Sequence, residues 1–278
     1  MIKLENTEVL GWEAAIRGMR NPMNSWEKSD SLFFGWTVKD SDGESVEDVY
    51  LDILGDFHGL DPYSSQGTEM ELGNADHKLM MNLAKAGSVD AKYRRMIVVT
   101  VDITAPLYWW KEFDTYKIGT VANSCSTMNK IHAKEFDLED FSCEHLMEHA
   151  DIEMPDEYPA DQPLEIGDAP VVVRGFDDNY HDMIFSPLGG MRLIVEMLNR
   201  CRELFIKTKD KRYWWQMIQL LPSSYNQRRT VMLNYEVLAG IYPKRKDHKL
   251  DEWHEFCDWI KSLPYSEIIT LEEEHGGA

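Results

Sequence analysis

The stretch MIVVTVDIT, residues Met96–Thr104, constrains the fold of this chain more than any other. It is dense in β-branched residues, which suit a pleated, half-buried surface. In a strand, successive side chains point to opposite faces, so Val99 and Val101 are expected on one side and Thr100 and Asp102 on the other. Ala105-Pro106 ends the run, because proline has no N–H to give to a ladder. A segment crowded with aromatics, acids and lysines follows at once, LYWWKEFDTYKIGT, Leu107–Thr120.

Helical spacing dominates elsewhere. In EVLGWEAAIRGM, Val9, Trp12, Ala15 and Ile16 share a helical face, and Asn21-Pro22 stops the helix. Arg17 and Arg20, three apart on it, read as two solvated helix arginines. ADHKLMMNLAKAG is a helix with Gly87 as its C-cap. ESVEDVYLDILGDF reads as helical or mixed. Four further helices follow residue 186: LGGMRLIVEMLNRCRELFIKTKD, RYWWQMIQLL, RRTVMLNYEVLAGIY and KLDEWHEFCDWIKSL. The last two carry apolar stripes, Met232/Tyr235/Leu238/Ala239 and Trp253/Phe256/Cys257/Ile260.

Charge narrows the function. The formal net charge is −20, which repels the phosphate backbone and argues against general nucleic-acid binding. A local cationic cluster still leaves room for a small phosphorylated ligand. Residues 135–182 hold sixteen acids and a single Lys or Arg, Arg174, punctuated by prolines 155, 159, 163 and 170, as in an extended insertion. The four cysteines form no C-x-x-C pair, as in a reduced compartment. The N-terminus lacks a signal pattern, and the apolar run at Met96 is too short to span a bilayer. The expectation is a cytoplasmic protein with no membrane partner.

Few motifs carry chemistry. CEHLMEH places Cys143, His145 and His149 together, but the set is incomplete for a metal, and an exposed acidic helix is the reading adopted. No phosphate-binding glycine loop and no G-x-S-x-G elbow occurs. What stands out is cationic: Arg94 and Arg95 before the strand, Lys111 and Lys117 after it, and Arg228, Arg229, Lys244, Arg245 and Lys246 around the C-terminal helices. Brought together, these would form an anion pocket.

IVVTVDITAPLYWWKEFDTYKIGT resembles the strand-then-helix segment of the flavin-dependent thymidylate synthases of the ThyX type, with Val99-Thr100-Val101 as the strand and Ala105-Pro106 as the break. Leu221-Pro222, Asn234 twelve residues after the proline and Arg245 eleven further on match that family's spacing. The likeness spans roughly residues 5–35, 75–130 and 190–265. It implies an α/β (α+β) fold, one ThyX-like domain over 1–278 with a central, mostly antiparallel sheet flanked by helices, and insertions at 40–72 and 135–187. It also implies a homotetramer with pockets between subunits, and a kinship with chains carried by phages and prophages.

The departures bear on function. The family's R-H-R-x-x-S reads Thr115-Tyr116-Lys117-Ile118-Gly119-Thr120 here, and its N-E-x-S-x-R-Y reads ANSCSTM, leaving Asn123 and the hydroxyls of Ser124, Ser126 and Thr127. Its Asn-x-Arg reads Asn234-Tyr235-Glu236. The resemblance then implies a protein that has lost the synthase signature and binds a nucleotide-like or other flat anionic ligand. Its site would use Arg94, Trp109, Trp110, Tyr116, Lys117, Thr120, Asn234 and Arg245. The aromatics would stack on a ring while Lys117 and Arg245 meet its charge. No metal and no tightly bound cofactor are expected, with FAD doubtful. Two alternatives are a pyrimidine-nucleotide methyltransferase with a rearranged flavin site, and an acidic protein-interaction module. Arg245 either shares a cavity with Lys117 or bridges to Glu236, Asp251 or Glu252.

Overall fold

In the computed structural model, the described residues are 2–33, 70–148 and 186–271, with short strands at 38–39, 45–46, 164–166 and 169–171. Most of both expected insertions, ESVEDVYLDILGDF beyond Val46, His149 and the tail from 272 lie outside the described residues.

The central sheet has four strands: β1 (Lys3–Leu10), β2 (Val98–Pro106), β3 (Val121–Ser124) and β4 (Asn226–Asn234), in the order β1-β2-β4-β3. β1 runs antiparallel to β2, and β3 antiparallel to β4. β2 behaves as its alternation demands. Val99, Val101 and Ile103 are buried. Asp102, on the opposite face, accepts hydrogen bonds from Thr230 Oγ1 (2.5 Å), Arg228 Nη2 (2.8 Å) and Asn6 Nδ2 (2.9 Å). The hydrogen bonds from Thr230, Asn6 and Arg228 hold its carboxyl well below the usual carboxylate range.

The helices are α1 (Trp12–Arg20), α2 (Asn74–Ala86), α3 (Leu107–Phe113), α4 (Pro187–Thr208), α5 (Lys211–Leu220), α6 (Tyr235–Arg245), α7 (Asp251–Ser262) and α8 (Glu267–Thr270). α1 starts later than its spacing suggested. Gly11, at φ 94, turns the chain out of β1, so Val9 is a strand residue and the helical face begins at Trp12.

The run RRTVMLNYEVLAGIY is not one helix. Its first half is β4, where Val231 and Leu233 are buried with a period of two and Met232 points outward, 40% exposed, instead of joining the core. Asn234 makes the change of element. Its side-chain oxygen accepts from Val237 N at 3.0 Å, capping α6. Tyr235 and Leu238 are then buried as expected. The stripe of α7 holds completely, with Trp253, Phe256, Cys257 and Ile260 all buried.

The chain divides into two compact units. One comprises Ile2–Thr104, Glu112–Ser124 and Arg228–Ala278 and holds most of the sheet with α1, α2, α6, α7 and α8. Arg20 and Asp76 meet inside it, both buried, with Nε to Oδ1 at 2.6 Å. Asp76 Oδ2 also accepts from the hydroxyls of Ser29 and Ser31, each at 2.7 Å. Arg20 is therefore a buried anchor, whereas Arg17 lies exposed beside Glu13. The other unit comprises Ala105–Lys111 and Cys125–Gln227, with Met1 assigned to it. Its core gathers Ile131, Phe136, Phe141, Met191, Leu198 and Met217 around α4 and α5. The described part of CEHLMEH, residues 143–148, enters it as a turn from Cys143 to Leu146, not as a helix. No described helix is long and apolar enough to cross a membrane.

Candidate functional site

After α3 the chain runs through the loop Thr115–Thr120 into β3. Gly119 sits at φ 80, and a Cβ there would lie 3.0 Å from Val237 Cγ2 and 3.3 Å from Asn234 Nδ2. Only glycine takes that backbone with so little space, so this one residue lets the loop lie against the first turn of α6. Loop and helix enclose a depression of about 290 Å³. Tyr116, Lys117 and Ile118 line it from the loop, and Glu236, Gly240 and Lys244 from the helix. Lys117 and Lys244 have no carboxylate partner among the described residues. Ile118 is 94% exposed. Gly240 has nothing within 4 Å of where a Cβ would be, so the helix backbone is bare at that point.

Next to Tyr116 is a tight polar cluster. Glu112 Oε2 accepts from Arg245 Nη1 at 2.6 Å and from Trp253 Nε1 at 3.1 Å. His248 Nε2 lies 3.4 Å from the same oxygen. The other ring nitrogen, Nδ1, accepts from Leu250 N at 3.2 Å, so neutral His248 carries its proton on Nε2. Arg245 Nε donates to the Tyr116 hydroxyl at 2.9 Å. Its guanidinium stands over the rings of Trp253 (4.5 Å) and Tyr116 (5.6 Å). Arg245 is thus paired, with Glu112 as its carboxylate in place of Glu236, Asp251 or Glu252. It does not line the depression beside Lys117. Tyr116 belongs to both features, its ring walling the depression and its oxygen holding the arginine.

The other expected site residues divide. Asn234 caps α6 beside the depression. Thr120 closes the loop half-buried, and its Oγ1 is buried without a hydrogen-bond partner. Arg94 is buried, with Nη1 3.8 Å from Glu236 Oε2, and its Nε and Nη2 make no hydrogen bond. It faces that carboxylate and not solvent. Trp109 and Trp110 are both fully buried, and Trp110 Nε1 donates to the Gln227 carbonyl at 2.9 Å. They are core, so the expectation that they stack on a ligand ring is overturned by their packing. The sequence reading missed Glu112, His248 and Trp253. A signal was present for the first, since Glu112 and Tyr116 lie four apart across the end of α3. Among the described residues no three His, Cys, Asp or Glu side chains gather to hold a metal.

No family model matches this chain, and no curated protein matches it. Solved structures do. ThyX from Helicobacter pylori with FAD and dUMP aligns over 98% of this chain and 98% of its own, at 13% identity and a TM-score of 0.56. A UMP/dUMP methylase, PolB from Streptomyces cacaoi, bound with 5-Br dUMP, aligns over 98% of this chain and 94% of its own, at 11% identity and a TM-score of 0.52. The fold is that of the flavin-dependent thymidylate synthases.

Such relatives raise the question of FAD. A flavin dinucleotide brings a pyrophosphate, which planar guanidinium forks hold best. Here Arg245 is turned to Glu112 and Arg94 to Glu236, and the cations lining the depression are lysines. The side chains lining the depression therefore offer a pyrophosphate no guanidinium fork.

Proposed function

We propose that this protein is a ThyX-fold binder of a nucleotide-like, flat anionic ligand, without thymidylate synthase chemistry, and that the depression between the loop Thr115–Ile118 and α6 is its site. One observation carries the reading. Lys117 and Lys244 stand on the rim of a concave surface with no internal carboxylate partner among the described residues, in a chain of net charge −20. A local cationic pair of this kind is what an anion needs against such a field. Tyr116 supplies a ring beside it, held in place through Arg245. Both neighbours described above are solved with uridylate-type ligands, which supports a pyrimidine nucleotide as the first ligand to try. Glu236 is at odds with a bare phosphate, so it suits the N–H edge of a base, while the lysines suit the phosphate. Sequestration by a phage- or prophage-borne protein fits a site of this kind.

The protein acts as a homo-oligomer in this reading, a tetramer being the form its fold suggests. Ile118 (94% exposed), Val121 (60%) and Met232 (40%) support it, Val121 and Met232 being paired across β3 and β4. The test is isothermal titration of dUMP, UMP and uridine into wild type, Lys117→Ala and Lys244→Ala. Binding of the nucleotides, weaker for uridine and for each variant, is expected. Absence of any nucleotide binding to folded wild type refutes the reading.

A second reading, a methyltransferase with a rearranged flavin site, draws on the FAD in the Helicobacter pylori structure. A flavin absorbance band in freshly purified protein, with turnover of dUMP, would favour it.

A further inference from the structure

A second pocket in the same unit shares no residue with the depression. It has a volume of about 360 Å³ and is walled by Trp12, Trp259 and Tyr265, with Thr7 and Ser262 among its lining residues. Among the described residues, no charged side chain lines it.

The walls are fixed. The Trp259 indole N–H donates to Thr7 Oγ1 at 3.0 Å, and its carbonyl accepts from Ser262 Oγ at 2.7 Å. The Tyr265 hydroxyl accepts from Leu72 N at 2.9 Å. Its ring meets Trp12 edge-on, with centroids 5.4 Å apart and planes at 74°. Trp12 meets Tyr235 in the same way at 5.4 Å. Tyr265 takes φ 52, a left-handed backbone that bulky residues rarely adopt. Strain held in place by surrounding contacts is a mark of clamps and binding sites. Trp259 and Tyr265 remain half-buried, leaving ring surface open. A rigid, open aromatic wall of this kind binds without paying ordering entropy.

Two arguments define what it would take. A charged ligand would find no counter-charge in the lining, and burying an unpaired charge is costly. An anion would also meet the field of a −20 chain. The hydroxyls set the hydrogen bonding. Thr7 Oγ1 already accepts from Trp259, so its own proton is free to donate. Ser262 gives its proton to the Trp259 carbonyl, so its lone pairs are free to accept. The pocket therefore offers one donor and one acceptor among aromatic walls, in the size range of small-molecule sites. We infer that it binds an uncharged planar heterocycle with an amide-type edge, one N–H and one C=O.

The probe is 2-quinolone, a neutral bicyclic lactam, titrated into the full chain and followed by ligand-observed NMR. Wild type binds it. Trp259→Ala weakens binding by about tenfold or more, the scale of a lost ring contact. Ser262→Ala and Thr7→Val each weaken it roughly threefold, the scale of one net hydrogen bond. Quinoline-2-carboxylate, of similar shape but anionic, does not compete. Each variant is checked for a cooperative unfolding transition; if Trp259→Ala fails to fold, the two hydroxyl variants decide. No binding to folded wild type, equal binding of the carboxylate, or affinity unchanged in both hydroxyl variants overturns the inference.

Discussion

Replacing Glu112 by Gln keeps the size of the side chain and removes its charge. The carboxylate accepts from Arg245 at 2.6 Å and from Trp253 at 3.1 Å. Both partners meet the same oxygen, Oε2, so the Gln carbonyl oxygen can accept from them in its place, and the charge-assisted bond from Arg245 becomes an ordinary one. The pair is intermediate in burial, with side-chain exposures of 16% for Arg245 and 36% for Glu112. Its worth therefore lies between the ~0–1 kcal/mol of a surface pair and the ~3–5 kcal/mol lost on breaking a buried one. Trp253 and Tyr116 hold the guanidinium by their ring faces in either case, which limits the loss. The expected cost of Glu112→Gln is about 1–2 kcal/mol, or roughly 2–8 °C in Tm for a chain of this size. Urea denaturation with an unchanged m-value measures it. A double-mutant cycle with Arg245→Met isolates the pair, with a coupling of about 1 kcal/mol or more expected. The same exchange removes a negative charge near the depression, so nucleotide affinity rises a few-fold. A coupling below about 0.3 kcal/mol would refute the claim that Glu112 holds Arg245. An affinity that falls instead would refute the electrostatic picture of the site.

Asp76→Asn should cost about 3 kcal/mol, because Arg20 is left buried beside a neutral group. Burial raises the Asp76 pKa, but hydrogen bonds from Ser29, Ser31 and Arg20 outweigh it and the net shift is downward from 3.8. A depressed carboxyl pKa contributes stability above the unfolded value that is lost as pH falls through the folded one. Wild type should thus lose this stability below about pH 4, while Asp76→Asn shows a shallower acid limb in urea midpoints from pH 7 to pH 2. Gly240→Ala should raise stability by about 0.5–1 kcal/mol, since the helix interior gains a better helix former into open space. It should weaken nucleotide binding by filling the depression; titration alongside thermal melts separates the two effects. In the proposed oligomer, Ile118→Asp should shift the population toward smaller species in light scattering while each chain keeps its folded circular-dichroism spectrum, the side chain being almost wholly exposed in the single chain.

Local pattern was legible where one face decides burial. Met96–Thr104 read as a strand because its β-branched residues alternate about a single face, and the α7 stripe read as a helix because Trp253, Phe256, Cys257 and Ile260 recur at 3.6. The run Arg228–Tyr242 misled because strand and helix abut without a break. Asn234, a good N-cap in mid-run, was the signal that two elements meet there. Composition does not show which aromatics are core, and Trp109 and Trp110, expected at a ligand ring, are fully buried. Long-range charge pairing was wholly illegible. Arg245 meets a carboxylate 133 positions away, and Arg20 one 56 away. No local rule names such partners.

The distribution of cations leads to one further expectation. The guanidiniums of Arg20, Arg94 and Arg245 face the internal carboxylates Asp76, Glu236 and Glu112. What the depression presents to solvent is two lysine ammoniums, point charges on flexible stems. In the proposed binding mode ligand affinity there rests on exposed charge, and exposed charge is screened over about 10 Å at 0.1 M salt and about 3 Å at 1 M. Raising sodium chloride from 50 to 500 mM should weaken nucleotide binding at the depression several-fold. The uncharged pocket of Trp12, Trp259 and Tyr265 has nothing to screen, so 2-quinolone binding should hold or strengthen slightly as salt favours apolar burial. Titrating both ligands across the same salt series tests the two sites at once. A nucleotide affinity indifferent to salt would mean that Lys117 and Lys244 are not what holds the phosphate. A guanidinium buried from the ions, Arg94 or Arg245, would then have to turn from its carboxylate on binding.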